Sequence, residues 1–257
     1  MHLRKNSEKR IMKTVNIVEK KKQDYFTKEA YTTLRTNILF SGTNVKVIAI
    51  TSCMMHEGKS TVSMALAKSF SELGKHVLLI DADLRKSVMS SQVEGVVEHG
   101  LSTYLSGQAE KEEVIFKTQH THLDIIFAGR FPPNPVELLD SAKMRDLICE
   151  LKEEYDIVLI DTPPLGMVVD CAVIAPLCDG TAFVLKANEV HAREVTAIVK
   201  DLRSKGCTVL GAVLNHVTVR KTLKMKIAGF FGTVGTKTKG FFKKLFGGKK
   251  KKESAEE

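Results

Sequence analysis

The sequence predicts an α/β fold, a mostly parallel sheet with helices on both faces, and three observations predict it. Short runs rich in Val, Ile and Leu alternate with segments of helical length. The runs are apolar almost throughout, as strands covered on both faces must be, instead of alternating between core and solvent. A Gly-Lys-Ser follows one run and acidic residues close two others. Polar chemistry therefore gathers at strand ends, where open α/β sheets place their ligands.

Taken in order, residues 1–24 are polar, lysine-rich and without a period, which reads as a flexible basic arm. "TKEAYTTLRTNILFSG" follows helical spacing, with Ala30, Leu34, Ile38 and Leu39 on one stripe and Gly42 as a stop. "VKVIAIT" reads as a strand, "STVSMALAKSFSELG" as a helix closed by Gly74, and "HVLLIDAD" as a second strand. "LDIIFAG", "YDIVLID", "TAFVLKA" and "CTVLGAVLN" supply four more, with the helical "VELLDSAKMRDLICELKEEY" before the second of them. The alternation gives βαβ units with right-handed crossovers, in one domain over residues 25–219. A Phe- and Lys-rich tail occupies residues 220–257.

The chain has 257 residues, 43% of them hydrophobic, enough for a sizeable core. Its formal charge of +9 is not spread evenly. Residues 1–22 carry +6 and residues 221–257 carry +8, which leaves residues 23–220 at −5. The basic ends fit anionic surfaces and not a base-reading groove, so no nucleic-acid partner is expected. Five cysteines, an odd number without a CxxC pair, fit neither a disulfide framework nor a zinc site. No apolar run reaches the roughly 20 residues of a membrane-spanning helix, and no signal peptide opens the chain, so a cytoplasmic location is expected.

In "TSCMMHEGKST", residues 51–61, Gly58-Lys59-Ser60 sits between a strand and a helix, the context of a phosphate-binding loop. Backbone N–H groups at the helix start suit a β-phosphate, Lys59 would reach the β and γ oxygens, and the Ser60 hydroxyl would bind Mg²⁺. The full pattern places a glycine at position 53, where this chain has Cys53. Two further sites join the loop. "LLIDADLR" ends a strand in Asp81 and presents Asp83, which strand alternation would put on the same face, able to share one cation. "IVLIDTPP" ends another strand in Asp161, as a Walker B aspartate does.

From about Lys28 to Asn215 the chain resembles the bacterial tyrosine kinases that control capsular or exopolysaccharide synthesis, within the P-loop NTPases related to MinD and ParA. The resemblance rests on "EAYTTLRTNILFS", "EGKSTVSMALAKSF", "VLLIDADLRKS", "GLSTYLSG", "FPPNPVELLDS", "YDIVLIDTPPLGMVVDCAVIA" and "GAVLN". It implies ATP-dependent phosphorylation of protein tyrosines. Glu57, Gly58, Lys59, Ser60 and Thr61 would form the ATP loop, and Ser60, Asp83 and Asp161 would hold Mg²⁺. Asp81 would accept the tyrosine proton, although the roles of Asp81 and Asp83 are open to exchange. Asn215 would meet the adenine or simply end its strand in a turn. The implied partners are tyrosine-bearing protein substrates, further copies of the chain, and a membrane protein that activates the kinase from the inner face of the cell membrane.

The chain departs from the family's pattern in three places. Met55-His56 replaces Pro-Gly, so weaker ATP binding is expected if position 56 needs a positive φ. Thr32 replaces the first arginine of a Glu-x-x-Arg-x-x-Arg helix, of which Glu29 and Arg35 remain, so one contact of ring assembly should be missing. No tyrosine follows Tyr155, so autophosphorylation of a tail cluster should be absent. The tail, with Phe230, Phe231, Phe241, Phe242, Leu245 and Phe246 among lysines, reads either as an anchor to an anionic membrane surface or as a solvated disordered chain. A rival to the kinase is a MinD-like ATP-dependent switch that recruits partners without phosphorylating tyrosine.

Overall fold

The structure is a computed structural model that describes residues 13–18, 24–42, 44–166, 170–189 and 191–217. Two compact units, Met1–Asn215 and His216–Glu257, divide the chain, and only His216 and Val217 of the second are described. The tail therefore lies outside the described residues, as do residues 1–12 and 19–23 of the arm.

The first unit is built on a nine-stranded sheet in the order β4-β1-β5-β6-β3-β7-β2-β8-β9. Its strands are β1 (Thr14–Ile17), β2 (Val47–Ser52), β3 (Val77–Asp81), β4 (Val93–Glu94), β5 (Ile115–Thr118), β6 (Leu123–Ile126), β7 (Ile157–Asp161), β8 (Gly180–Lys186) and β9 (Val209–Asn215). The six strands read from the sequence run parallel as one block from β6 to β9. The three that were not read are short and lie at one margin, where β5 turns antiparallel to β6.

One of those corrects the reading of the N-terminal arm. Residues 14–17, inside the segment expected to be flexible, form β1, which pairs with β5 and β4 and buries Val15 to 1% exposure. Four residues with two apolar side chains give no period against a lysine-rich background, so only the neighbouring strands make this one.

The helices are α1 (Tyr25–Phe40), α2 (Lys59–Glu72), α3 (Leu101–Leu105), α4 (Lys111–Val114), α5 (Pro135–Leu139), α6 (Ala142–Glu154), α7 (Asp170–Ile174) and α8 (Ala192–Ser204). The stretch read as one helix over 136–155 is two, because Ser141 breaks it and caps α6 by accepting from the Met144 N–H at 3.2 Å. The stripe on α1 also differs from expectation. Tyr31, Leu34 and Ile38 face the core, whereas Leu39 stays 38% exposed.

Strand alternation explains why both faces are apolar. In β3, Leu78 and Ile80 enter the layer under α3 to α6, while Val77 and Leu79 enter the layer under α1 and α2. In β7, Val158 and Ile160 take the first side, and Ile157 and Leu159 the second. Each fully buried side chain of this size contributes about 1.5–3 kcal/mol. The residue at the end of each strand lies just beyond this double cover, and there the charges appear. No helix among the described residues is long and apolar enough to cross a membrane.

Candidate nucleotide site

Because β7 lies between β3 and β2, its last residue falls between the end of β3 and the loop that leaves β2. Asp161 is aligned with Asp81 on one side and with Ile50 on the other. Sheet order thus brings together three segments that are far apart in the chain.

The loop from Cys53 to Gly58 opens α2 without a side-chain cap, so N–H groups of its first turn remain available to an anion. Gly58 adopts φ 85°, a left-handed value that favours glycine. His56 adopts φ 65° and carries the strain expected of a side chain there. Cys53 does not have a positive φ, so the glycine missing from the motif is not required by the backbone. Its side chain packs instead with Cys171 and Phe183.

The loop is braced from behind. The Glu57 carboxylate, almost fully buried, accepts from the N–H groups of Met54 (2.7 Å) and Lys186 (3.1 Å). Asn215, at the end of β9, donates from Nδ2 to the Glu57 carbonyl at 2.9 Å. In this geometry Glu57 and Asn215 fix the loop from β8 and β9, and Asn215 is engaged by the loop itself.

In front of the loop is a cleft of about 520 Å³, within the range of small-ligand sites. Gly58, Lys59, Ser60, Thr61 and Asp83 line it, together with Glu57. Lys59 Nζ stands 2.9 Å from Asp161 Oδ2, both side chains being nearly buried. Ser63, one turn along α2, donates to Asp161 Oδ1 at 2.8 Å. Asp161 Oδ2 is buried, and its partner among the described residues is the Lys59 ammonium.

Asp81 is buried beside Asp161. Burial, and then the negative charge of Asp161, push its carboxyl up to about 7, against the opposing pull of Ser87, Lys59 and the Asp83 N–H. The Ser87 hydroxyl donates to Asp81 Oδ2, and the Asp83 N–H reaches Oδ1 at 3.1 Å. The strand ends at Asp81, so Asp83 does not continue its alternation as expected. It stands in the following turn, where its Oδ1 accepts from the Lys86 N–H at 2.9 Å.

Three participants were not singled out from the sequence. Ser63 and Ser87 orient the two buried carboxylates. Asp170, fully buried at the start of α7, holds Arg85 through two bonds, Nε to Oδ2 at 2.8 Å and Nη2 to Oδ1 at 3.0 Å. Only a serine four residues after Lys59, on the same helix face, gave a signal of this kind.

Magnesium fits these residues. Lys59 Nζ lies 2.9 Å from Asp161 Oδ2 and 3.3 Å from the Ser60 hydroxyl, so once the ammonium turns to a triphosphate both oxygens suit the cation that arrives with it. Among the described residues, no three His, Cys, Asp or Glu side chains are grouped to hold a metal.

Residues 45–189 match the family described as "AAA domain". The tyrosine-protein kinase CpsD of Streptococcus agalactiae is 41% identical over 209 residues, 80% of this chain and 91% of that protein. This chain belongs to the bacterial tyrosine-kinase family. The kinase domain of the Escherichia coli tyrosine kinase ETK superposes with TM-score 0.70 at 34% identity, over 76% of this chain and 78% of that one. MinD from Pyrococcus horikoshii, solved with Mg-ADP, has TM-score 0.57 at 27% identity, over 66% of this chain and 69% of its own. Family membership and the mostly parallel P-loop fold therefore agree with the expectations raised by the motifs.

Proposed function

We propose that the chain transfers the γ-phosphoryl group of MgATP to tyrosine hydroxyls of proteins, and so regulates capsular or extracellular polysaccharide synthesis. The observation that carries this reading is Lys59, which lines a cleft of nucleotide size and pairs with the buried Asp161, itself aligned with the buried Asp81 at the end of the neighbouring strand. N–H groups from Gly58 to Thr61 would hold the phosphates, and Lys59 would exchange Asp161 for the β and γ oxygens. Ser60, Asp83 and Asp161 would hold Mg²⁺, which when bound neutralises phosphate charge. Asp81, with a carboxyl poised near neutral pH, would orient the phenol and accept its proton.

The deciding experiment combines the purified protein, MgATP and a tyrosine-containing acceptor, and compares it with Lys59→Met and Asp81→Asn. Phosphotyrosine that forms in the parent and disappears in both variants supports the kinase. ATP turnover without phosphotyrosine supports the nucleotide switch instead.

The basic tail suits an anionic membrane surface, which would place the enzyme on the inner face of the cell membrane near an activating membrane protein. Liposome sedimentation with and without residues 221–257 tests this, and equal pelleting of the two removes the tail from that role. The ring expected of the family would lack the arginine replaced by Thr32. The remaining Arg35 already donates within the molecule, to the Ser69 carbonyl and to Ser69 Oγ at 3.2 Å, docking α1 on α2.

A further inference from the structure

A tyrosine kinase meets its own tyrosines first, and this chain has four. Their surroundings separate them. The Tyr155 hydroxyl donates to Asp124 at 2.8 Å beneath the sheet, and the residue is 8% exposed. Tyr31 packs against the core under α1 and α2. Tyr104 packs against the opposite core, with the Lys143 ammonium 4.3 Å from its ring centroid. Tyr25 is 72% exposed, and its hydroxyl has no hydrogen bond among the described residues.

Tyr25 is nevertheless well placed. It is the first residue of α1, after Asp24, whose carboxylate caps the helix by accepting from the Thr27 N–H at 2.8 Å. Its ring meets Phe26 edge to face, with centroids 5.9 Å apart. We propose that Tyr25 is the autophosphorylation site of this chain and that it is phosphorylated by a second copy.

The geometry rules out transfer within one molecule. Lys28, one turn beyond Tyr25, pairs with Glu72 at 3.6 Å, and Glu72 is the last residue of α2. Lys59, in the cleft, is the first residue of the same 14-residue helix, so about 20 Å of helix separates the two ends. No tyrosine side chain spans that distance. In the transfer, the Tyr25 phenolic oxygen forms a bond to the γ-phosphorus as the bond from that phosphorus to the β–γ bridging oxygen breaks. ADP leaves with the electron pair, and the phenolic proton passes to the second copy's Asp81 carboxylate.

The inference rests on the kinase reading, and one experiment separates their failures. Full-length protein is incubated with MgATP and a tyrosine-containing peptide, and phosphate is mapped by mass spectrometry. Self-phosphorylation is expected on Tyr25, at a rate per molecule that rises with protein concentration, and the inactive Lys59→Met chain should be labelled at Tyr25 by the parent. In Tyr25→Phe self-phosphorylation should fall to background while the peptide is phosphorylated at the parent's rate. Phosphate on Tyr31, Tyr104 or Tyr155, a concentration-independent rate, or a phosphorylated peptide with no label on Tyr25 overturns the inference alone. An unlabelled peptide and an unlabelled chain overturn the kinase reading and this inference with it.

Discussion

The two ends of the same sheet hold carboxylates on opposite terms. At the amino ends of the parallel strands, Asp179 accepts from the N–H groups of Lys46 and Val47, both at 2.9 Å, and from Lys152. Burial raises its pKa, but Lys152 and those two N–H groups outweigh it, and the carboxyl lies below its ordinary value. Asp124 likewise accepts from Lys117 at 2.6 Å and Tyr155 at 2.8 Å. At the carboxyl ends, Asp81 is pushed up to about 7 and Asp161 pairs with Lys59. The same residue type stabilises the fold where its partners are complete. At the carboxyl ends two buried carboxylates share the Lys59 ammonium, and burial together with their mutual repulsion raises one of them.

The largest expected effect lies at the carboxyl ends. Lys59→Met should lower phosphotyrosine formation by at least about 10²–10³-fold, as removal of one fixed positive donor at a transferring phosphoryl group does. An assay of an exogenous peptide measures it. The fold should survive, since far-ultraviolet circular dichroism reads a sheet whose core this side chain does not enter.

The contrast sharpens when stability is measured against pH. Asp81 has a raised folded-state pKa, so its contribution is present below the unfolded value of 3.8 and is lost as pH rises through about 7. Asp81→Asn should therefore stabilise the nucleotide-free protein by about 2–4 kcal/mol at pH 8, with the gain vanishing towards pH 4. Asp179 has a lowered pKa, and its contribution is present above the ordinary carboxylate range and lost as pH falls. Asp179→Asn should cost about 1–3 kcal/mol at pH 7 and progressively less in acid. Urea denaturation of both variants across pH checks the two slopes, and slopes of the same sign would break the comparison.

The smallest effect is expected within the loop. His56 holds φ 65°, so its strain weighs on folding of the loop. His56→Gly should raise stability by about 1 kcal/mol. Calorimetric titration of MgATP into the same variant shows whether the imidazole also weakens binding, as its replacement of glycine suggests.

Legibility in the sequence followed the same division. The six strands of the parallel block were readable because both faces are apolar, and Lys59, Asp81, Asp83 and Asp161 because each closes or follows such a run. β1, β4 and β5 were not, because two to four residues at a sheet margin carry no period of their own. Ser87 and Asp170 escaped notice because their roles come from tertiary contact. Nothing in the spacing of Arg85 and Asp170, 85 residues apart, announces a bidentate pair.

The tie between Asn215 and Glu57 gives the last strand a second significance. Asn215 ends the first unit, and the basic tail continues the chain from there. A pull or a twist delivered along β9 therefore arrives at the back of the phosphate loop through one amide and one carbonyl, without first having to deform the hydrophobic layers. The last strand of the sheet is thereby fastened to the loop that opens α2.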